Sequence, residues 1–216
     1  ANKFKSQWIS TVSHEFRTPL NIMKNMIDSL KQEELSPESQ QFVELGENST
    51  RLLQNYVGDL LDYCLLRNGK FEIACSPFDI KEMFQQSITM LQAKADDKDI
   101  LLQFQCDSHL NPVIDSDRSR AQQVLINLLA NAIKFTDVEG KISIRLKKLT
   151  GSEGVHVEVE DNGIGIREED QKKLFTEYGR VADEETRALN PQGVGLGLWI
   201  CKKFCAELGH GIEIES

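Results

Sequence analysis

No stretch of this chain approaches the 18 or so consecutive apolar residues that a membrane-spanning helix needs, and there is no secretory signal. Nothing in its 216 residues is therefore expected to cross a bilayer or to contact one directly. Basic charge is also short: 25 Lys and Arg stand against 34 Asp and Glu, a net of -9. The deficit holds along the chain, with 8 basic and 10 acidic groups in residues 1–75 and 17 and 24 in residues 76–216. That argues against a nucleic-acid surface. It also means that an anionic nucleotide would need local help from a metal ion, helix N-termini or a few placed cations. No Cys/His set has zinc spacing. The five cysteines (Cys64, Cys75, Cys106, Cys201 and Cys205) are odd in number and scattered. Cys201 and Cys205, four apart in an apolar helical stretch, read as packing, and reduced thiols in an intracellular compartment fit best. Internal repeats and low-complexity tracts are absent. What is present, 40% hydrophobic residues, suffices for one or two domains with real cores. Ala1 opens directly in polar helical sequence, as a piece cut from a longer parent does.

Two helical patterns come first. Ile9, Val12, Phe16, Leu20, Met23, Ile27 and Leu30 are spaced by threes and fours and form one apolar stripe. After the polar break Lys31–Leu35, Ser36-Pro37-Glu38 reads as an N-cap, a first-turn proline and an acidic first turn. Phe42, Leu45, Ser49, Leu52, Tyr56, Leu60 and Tyr63 continue as a second helix. The pair predicts an antiparallel hairpin whose seam stays half open, and dimerisation into a four-helix bundle would close it. Asn68-Gly69 ends the region, and a tether near 68–77 separates an expected domain 1–68 from a second, 76–216.

In the second part Asp79 is predicted to cap a helix near 80–95, and Ile100–Gln105 to be a strand. Asp117 caps a helix running to about Phe135. Ile142, Ile144 and Leu146 alternate with polar residues, as do Val155, Val157 and Val159, giving two half-buried and plausibly adjacent strands. A short helix near 168–175, a polar stretch over 179–192, a helix over about 196–208 and a strand Ile212–Glu215 follow. The fold class is α+β: a helical hairpin, then helices over one face of a sheet containing antiparallel strands, an α/β sandwich.

At about 100° per residue, His14 lies roughly 160° from the Val12/Phe16/Met23 direction and so is expected to face solvent. Thr18 lies one turn further along that face, Arg17 beside it, and Glu15 is the sequence neighbour. An exposed imidazole near a carboxylate can act as a nucleophile, one ring nitrogen attacking while the carboxylate takes the proton of the other. An ordinary solvated face also carries such a histidine. Pro19 is harder to dismiss, because it removes a backbone donor and should kink the helix at a cost of about 3 kcal/mol. Ser13-His14-Glu15-Phe16-Arg17-Thr18-Pro19-Leu20 resembles the H-box of histidine kinases. The resemblance implies that His14 is the phosphoacceptor and Glu15 its base, with Thr18 helping to place water for dephosphorylating a partner.

Three further segments belong together. On the 117–135 helix, Asn127, Asn131 and Lys134 share one face, with Arg120 and Gln123 above them and Leu125, Leu128, Leu129 and Ile133 opposite. Amide oxygens suit Mg²⁺ and a lysine suits phosphate, although an amphipathic helix with an ordinary polar face has the same pattern. Asp161-Asn162-Gly163-Ile164-Gly165-Ile166 follows a strand; its glycines allow close backbone approach, and a buried Asp could accept from an adenine amino group, while D-N-G is equally a turn signal. Gly193-Val194-Gly195-Leu196-Gly197-Leu198 precedes the last long helix, where free N–H groups can bind phosphate. It is not a P-loop, since no Gly-Lys-Ser/Thr follows.

In this order the segments resemble the N, G1 and G2 boxes of the ATP-binding domain shared by histidine kinases, gyrase-type topoisomerases, mismatch-repair ATPases and a family of chaperones. Lys173-Leu174-Phe175-Thr176-Glu177-Tyr178 resembles the intervening F box. The resemblance implies ATP and Mg²⁺ as cofactors, Asn131 as the principal metal ligand and Asn127 near metal and phosphate. It further implies Lys134 at phosphate, Phe135 beside adenine, Asp161 reading adenine N6, and Gly163, Gly165, Gly193, Gly195, Gly197 and Leu198 around the nucleotide. Residues about 176–194 would be a mobile lid, with Arg180 as a phosphate contact. Hydrolytic relatives carry a water-activating Glu four residues before the metal-binding Asn. Asn127 stands there instead and cannot act as a base at neutral pH, which favours transfer to His14 over hydrolysis, while the intact H-box and both Asn residues count against a scaffold that merely holds nucleotide. Two departures from the family pattern are the run Leu208-Gly209-His210-Gly211 in place of paired glycines, and a closing hairpin that relatives place beyond the equivalent of Ser216. The implied protein is a homodimeric kinase core serving the receiver domain of a response regulator, with no nucleic-acid partner, and cytoplasmic, any membrane anchor belonging to the parent.

Overall fold

The computed structural model describes residues 2–149, 154–177, 179 and 195–216, with residues 2–14 described through their backbone alone. It divides into two compact units, Ala1–Glu72 and Ile73–Ser216.

The first unit is a hairpin of α1 (Asn2–Leu30) and α2 (Pro37–Arg67). Ser36 starts α2 as its sequence predicts: in an extended conformation, it accepts from Ser39 N at 3.2 Å, ahead of Pro37 and Glu38. Lys31 and Glu47 close the turn end with an exposed ion pair of 2.8 Å, which solvent screens. The apolar stripe of α1 divides. Leu20 is buried and Ile27 half-buried, Ile27 packing against Gly46 of α2. Phe16, Met23 and Leu30, with Phe42, Leu45 and Leu60 of α2, remain exposed. The hairpin thus satisfies one seam and leaves a second apolar seam in water. The helix continues through Pro19 to Leu30.

The second unit begins with β1 (Ser76–Asp79) and α3 (Ile80–Asp96), followed by β2 (Leu101–Cys106) and β3 (Val113–Ser116). Then come α4 (Arg118–Phe135), β4 (Lys141–Lys148), β5 (Val155–Asp161), α5 (Glu168–Leu174) and α6 (Gly197–Glu207). Asp79 caps α3 by accepting from Glu82 N at 2.9 Å, and Asp117 caps α4 by accepting from Arg120 N at 3.1 Å. The sheet order is β2-β4-β5; β4 and β5 are antiparallel as their alternation suggested, but β2 and β4 are parallel. The sheet is therefore mixed, because α4 lies in the connection that brings the chain back to the start of β4. Met83, Phe84 and Leu91 of α3 and Leu125, Leu129 and Ile133 of α4 pack on Ile142, Ile144 and Leu146 of β4. Each such fully buried side chain contributes about 2 kcal/mol.

Two differences from the sequence expectation stand out. β1 and β3 pair antiparallel as a separate two-stranded sheet that no pattern announced. Ile212–Glu215, expected as a strand, has no ladder partner among the described residues. Its neighbour Ser216 is held instead by isolated bonds, its Oγ accepting from Ile166 N at 2.7 Å and its carbonyl from Gln171 Nε2 at 3.4 Å. Alternation alone does not make a strand; a second backbone must supply the hydrogen bonds.

Candidate functional site

The candidate nucleotide site is built on α4. Asp117 fixes the start of this helix twice over, its Oδ1 accepting from Arg120 N and its Oδ2 from Ala74 N at 3.0 Å. One turn on, the Arg120 guanidinium lies over the Phe204 ring of α6, 4.9 Å from the centroid, and donates to Gln123 Oε1 at 2.9 Å. This lays α6 along α4. At Gly197, the first residue of α6, a Cβ would sit 2.6 Å from Asn127 Nδ2. Only a glycine admits the Asn127 side chain so near the helix start. Leu196, the N-cap, supplies no side-chain hydrogen bond, so the first-turn amides of α6 lack helical acceptors and carry the positive end of the dipole.

Asn127 and Asn131 share the face turned to this junction, and the Asn131 amide donates to Asn127 Oδ1 at 3.2 Å. That engages one of the two lone pairs of the Asn127 oxygen, while Asn131 Oδ1 has no described partner. Among the described residues no group of three or more His, Cys, Asp or Glu could cage a metal. A neutral amide ligand with no cage suits Mg²⁺, which retains waters and takes phosphate oxygens; the donor set fits.

At the other end of α4, Lys134 Nζ lies 5.7 Å from the Phe135 ring centroid, and both side chains are half-buried. The glycine loop after β5 clasps this end. Ile164 N donates to Phe135 O at 3.2 Å, and a Cβ on Gly163 would lie 2.3 Å from the same oxygen. Asp161 Oδ1 accepts from Gly163 N at 3.0 Å, and Asn162 Oδ1 accepts from Lys141 N at 2.7 Å. Asp161 is exposed, not buried as its expected role suggested. It stands at the last position of β5, where the strand leaves the packed sheet, and it retains acceptor capacity for a purine amine. Gly165 and Gly195 hold positive φ, 67° and 76°, and Leu198 is half-buried. Arg180 and Gly193, and the expected lid apart from Thr176, Glu177 and Gly179, lie outside the described residues.

Sequence reasoning missed Lys98, whose Nζ donates to Ile133 O, Lys134 O and Thr136 O at 3.0, 3.0 and 2.9 Å. A lone lysine between acidic residues carries no signal of this.

In the hairpin unit, the backbone places His14 in α1; its side chain is outside the described set. Glu15 and Thr18 are exposed. On α2, burial first and the Asp62 charge second push the Asp59 carboxyl up to about 6. Cys201 is buried and Cys205 half-buried, neither in a disulfide, as packing cysteines should be. His210 is exposed. No helix among the described residues is long and apolar enough to cross a membrane.

Residues 4–69 match the family described as His Kinase A (phospho-acceptor) domain, and residues 116–216 match the Histidine kinase-, DNA gyrase B-, and HSP90-like ATPase family. The hybrid signal transduction histidine kinase B of Dictyostelium discoideum is 34% identical over 220 residues, covering 100% of this chain and 11% of the relative. The signal transduction histidine-protein kinase BarA of Escherichia coli (strain K12) is 33% identical over 219 residues, covering 100% and 24%. Among solved structures, full-length ShkA in complex with AMPPNP superposes with a TM-score of 0.72 at 29% identity, covering 94% of this chain and 41% of that one. The catalytic domain of histidine kinase ThkA gives 0.53 at 31% identity, covering 62% and 82%. ThkA in complex with the response regulator protein TrrA gives 0.57 at 26%, covering 94% and 55%. The chain spans only about a tenth to a quarter of the length of these two curated relatives.

Proposed function

The chain belongs to the histidine kinases, and from that premise we propose that it phosphorylates its own His14 from Mg-ATP and passes the phosphoryl group to an aspartate of a response regulator. The observation that carries this reading is the α4 junction. Asn127, hydrogen-bonded to Asn131 on the same face, is brought against Gly197 at the start of α6, which has no side-chain cap, while Phe135 at the far end of α4 is clasped by Gly163 and Ile164. Amide ligands, a lysine, helix-terminal amides and a carboxylate thus line one helix from the phosphate end to the base end.

Asn131 Oδ1 would ligate Mg²⁺, with Asn127 orienting it, and the metal would neutralise phosphate charge. The α6 amides, Gly193, Gly195, Leu198, Lys134 and Arg180 would hold the phosphates. Phe135, Gly163 and Gly165 would flank the base, and Asp161 would accept from its exocyclic amine. In the transfer, a bond forms between an imidazole nitrogen of His14 and the γ-phosphorus as the bond to the bridging oxygen breaks. ADP leaves, and Glu15 takes the proton from the other ring nitrogen. Positioning and charge neutralisation are most of what this reaction requires. Asn127 supplies no base for water, which favours the histidine as acceptor. Thr18, exposed one turn beyond Glu15, would place water for the reverse, dephosphorylating role. The open apolar seam of Phe16, Met23, Leu30, Phe42, Leu45 and Leu60 is where a second copy would complete a four-helix bundle, making the kinase a homodimer.

Incubation with γ-labelled ATP and Mg²⁺ tests the reading. Acid-labile, base-stable label should appear on the wild type and on no His14→Gln protein, and should chase to a receiver domain. Label that persists in His14→Gln would overturn it.

A further inference from the structure

The last turn of α4 presents a hydrogen-bonding problem. Thr136 N makes the final intrahelical bond, to Ala132 O at 3.0 Å, so the carbonyls of Ile133, Lys134 and Phe135 have no helical donor. Many helices meet this need by turning the chain back through a left-handed residue. Here the C-cap Thr136 is extended, φ -88° and ψ 136°, and the chain runs straight on. Yet every carbonyl from Ile133 to Thr136 is satisfied. Lys98 takes three of them, with contacts of 2.9 to 3.0 Å, and Ile164 N takes Phe135 O at 3.2 Å. An ammonium has three donors, and its charge lies at the negative end of the helix dipole. The Lys98 backbone is itself tied down: its N–H donates to Ala95 O at 3.1 Å and its carbonyl accepts from Glu139 N at 3.0 Å.

We propose that Lys98 is a positioning residue for nucleotide binding, holding the end of α4 in the geometry that the glycine loop clasps. The proposal rests on the ATP-binding reading above. Lys98 would not touch nucleotide. It would act through Phe135 O, the single atom that receives Ile164 N and abuts Gly163, and through the backbone of Lys134. Without the ammonium, three carbonyls at the end of α4 must find water, the last turn frays, and Lys134, Phe135 and the loop lose their common reference.

The test compares wild type, Lys98→Met and Lys98→Arg below their unfolding transitions, measuring Mg-ATP affinity by calorimetry and, without nucleotide, amide exchange by NMR. Lys98→Met is expected to weaken Mg-ATP about tenfold and to speed exchange of the Ile164 amide by a similar factor. The Ile144 amide in the core should be unchanged, and Lys98→Arg should recover most of the affinity. Wild-type affinity and wild-type Ile164 exchange in a folded Lys98→Met protein would overturn the proposal, since a cap serving stability alone moves the melting temperature and neither of these. If wild type itself fails to bind Mg-ATP, the function reading falls, and the nucleotide-free exchange still decides for or against Lys98. Should Lys98→Met not fold, Lys98→Gln replaces it, and equal affinity of Lys98→Gln, Lys98→Arg and wild type would overturn the proposal.

Discussion

The Asn131 side-chain amide donates to Asn127 Oδ1 across one turn of α4, at 3.2 Å, and this bond ranks two residues that look equivalent in sequence. One lone pair of Asn127 Oδ1 is engaged in orienting Asn131, whereas no partner of Asn131 Oδ1 is described, so in the proposed site Asn131 Oδ1 would face the metal and Asn127 would hold it there. Loss of an orienting partner typically costs 10–100-fold in metal-dependent activity. Asn127→Ala is therefore expected to slow autophosphorylation by about one to two orders of magnitude, and Asn131→Ala by more. Initial rates of label incorporation at saturating Mg²⁺ check the order, and a slower Asn127→Ala protein would refute the ranking.

Gly197 and Gly163 separate affinity from stability. A Cβ on Gly197 meets the end of the Asn127 side chain at 2.6 Å, which can move aside. A Cβ on Gly163 meets the backbone oxygen of Phe135 at 2.3 Å, which cannot. Gly197→Ala should keep its melting temperature, alanine being favourable in a first helical turn, yet bind Mg-ATP about tenfold more weakly as Asn127 is displaced. Gly163→Ala should lose both affinity and about 1–3 kcal/mol of stability. Paired calorimetric binding and thermal melts distinguish the two, and equal melting temperatures would contradict the geometry.

Legibility in the sequence follows the range of the interactions. Ser36, Asp79 and Asp117 could be identified as caps because each accepts from an amide three residues on. The β4/β5 pair showed itself through alternation on a shared core face. Nothing local announces the four-residue β1 and β3, whose pairing joins Ser76 to Ser116, nor Lys98, whose acceptors lie 35 to 38 residues away. The glycine strings were visible, but that Gly197 approaches Asn127 and Gly163 approaches Phe135 depends on how α6 and the loop pack on α4. Ile212–Glu215 misled for the same reason in reverse, having the pattern of a strand without a described partner.

Asp59 makes the hairpin sensitive to pH. Burial and, secondarily, Asp62 raise its carboxyl from 3.8 to about 6. The folded state thus binds its proton more tightly than the unfolded chain. The associated stability is complete below about pH 4 and is lost as pH rises to about 6, after which a constant penalty remains. Asp59→Asn mimics the neutral form. Allowing for partial solvent screening, it should stabilise the protein by on the order of 2 kcal/mol at pH 8 and by almost nothing at pH 4. Melting of both proteins across that range is the check, and a gain at pH 4 as large as that at pH 8 would exclude this cause.

Glu139 holds φ at 62° in the turn before β4, and Asp99 holds 53° after α3. A left-handed conformation costs an L-residue about 1–2 kcal/mol, less for Asp, whose short polar side chain tolerates it. Glycine removes that strain but gives back about 0.4–1 kcal/mol through the greater freedom of its unfolded chain. The bond from residue 139 N–H to Lys98 O, 3.0 Å, is a backbone bond and survives the change. Glu139→Gly should therefore raise stability by about 0.5–1 kcal/mol, and Asp99→Gly by less. In urea this reads as a higher midpoint with an unchanged slope. Glu139→Ala discriminates the cause, because it removes the same charge and keeps the strained backbone. A gain from alanine equal to that from glycine would place the effect in the carboxylate and not in the turn.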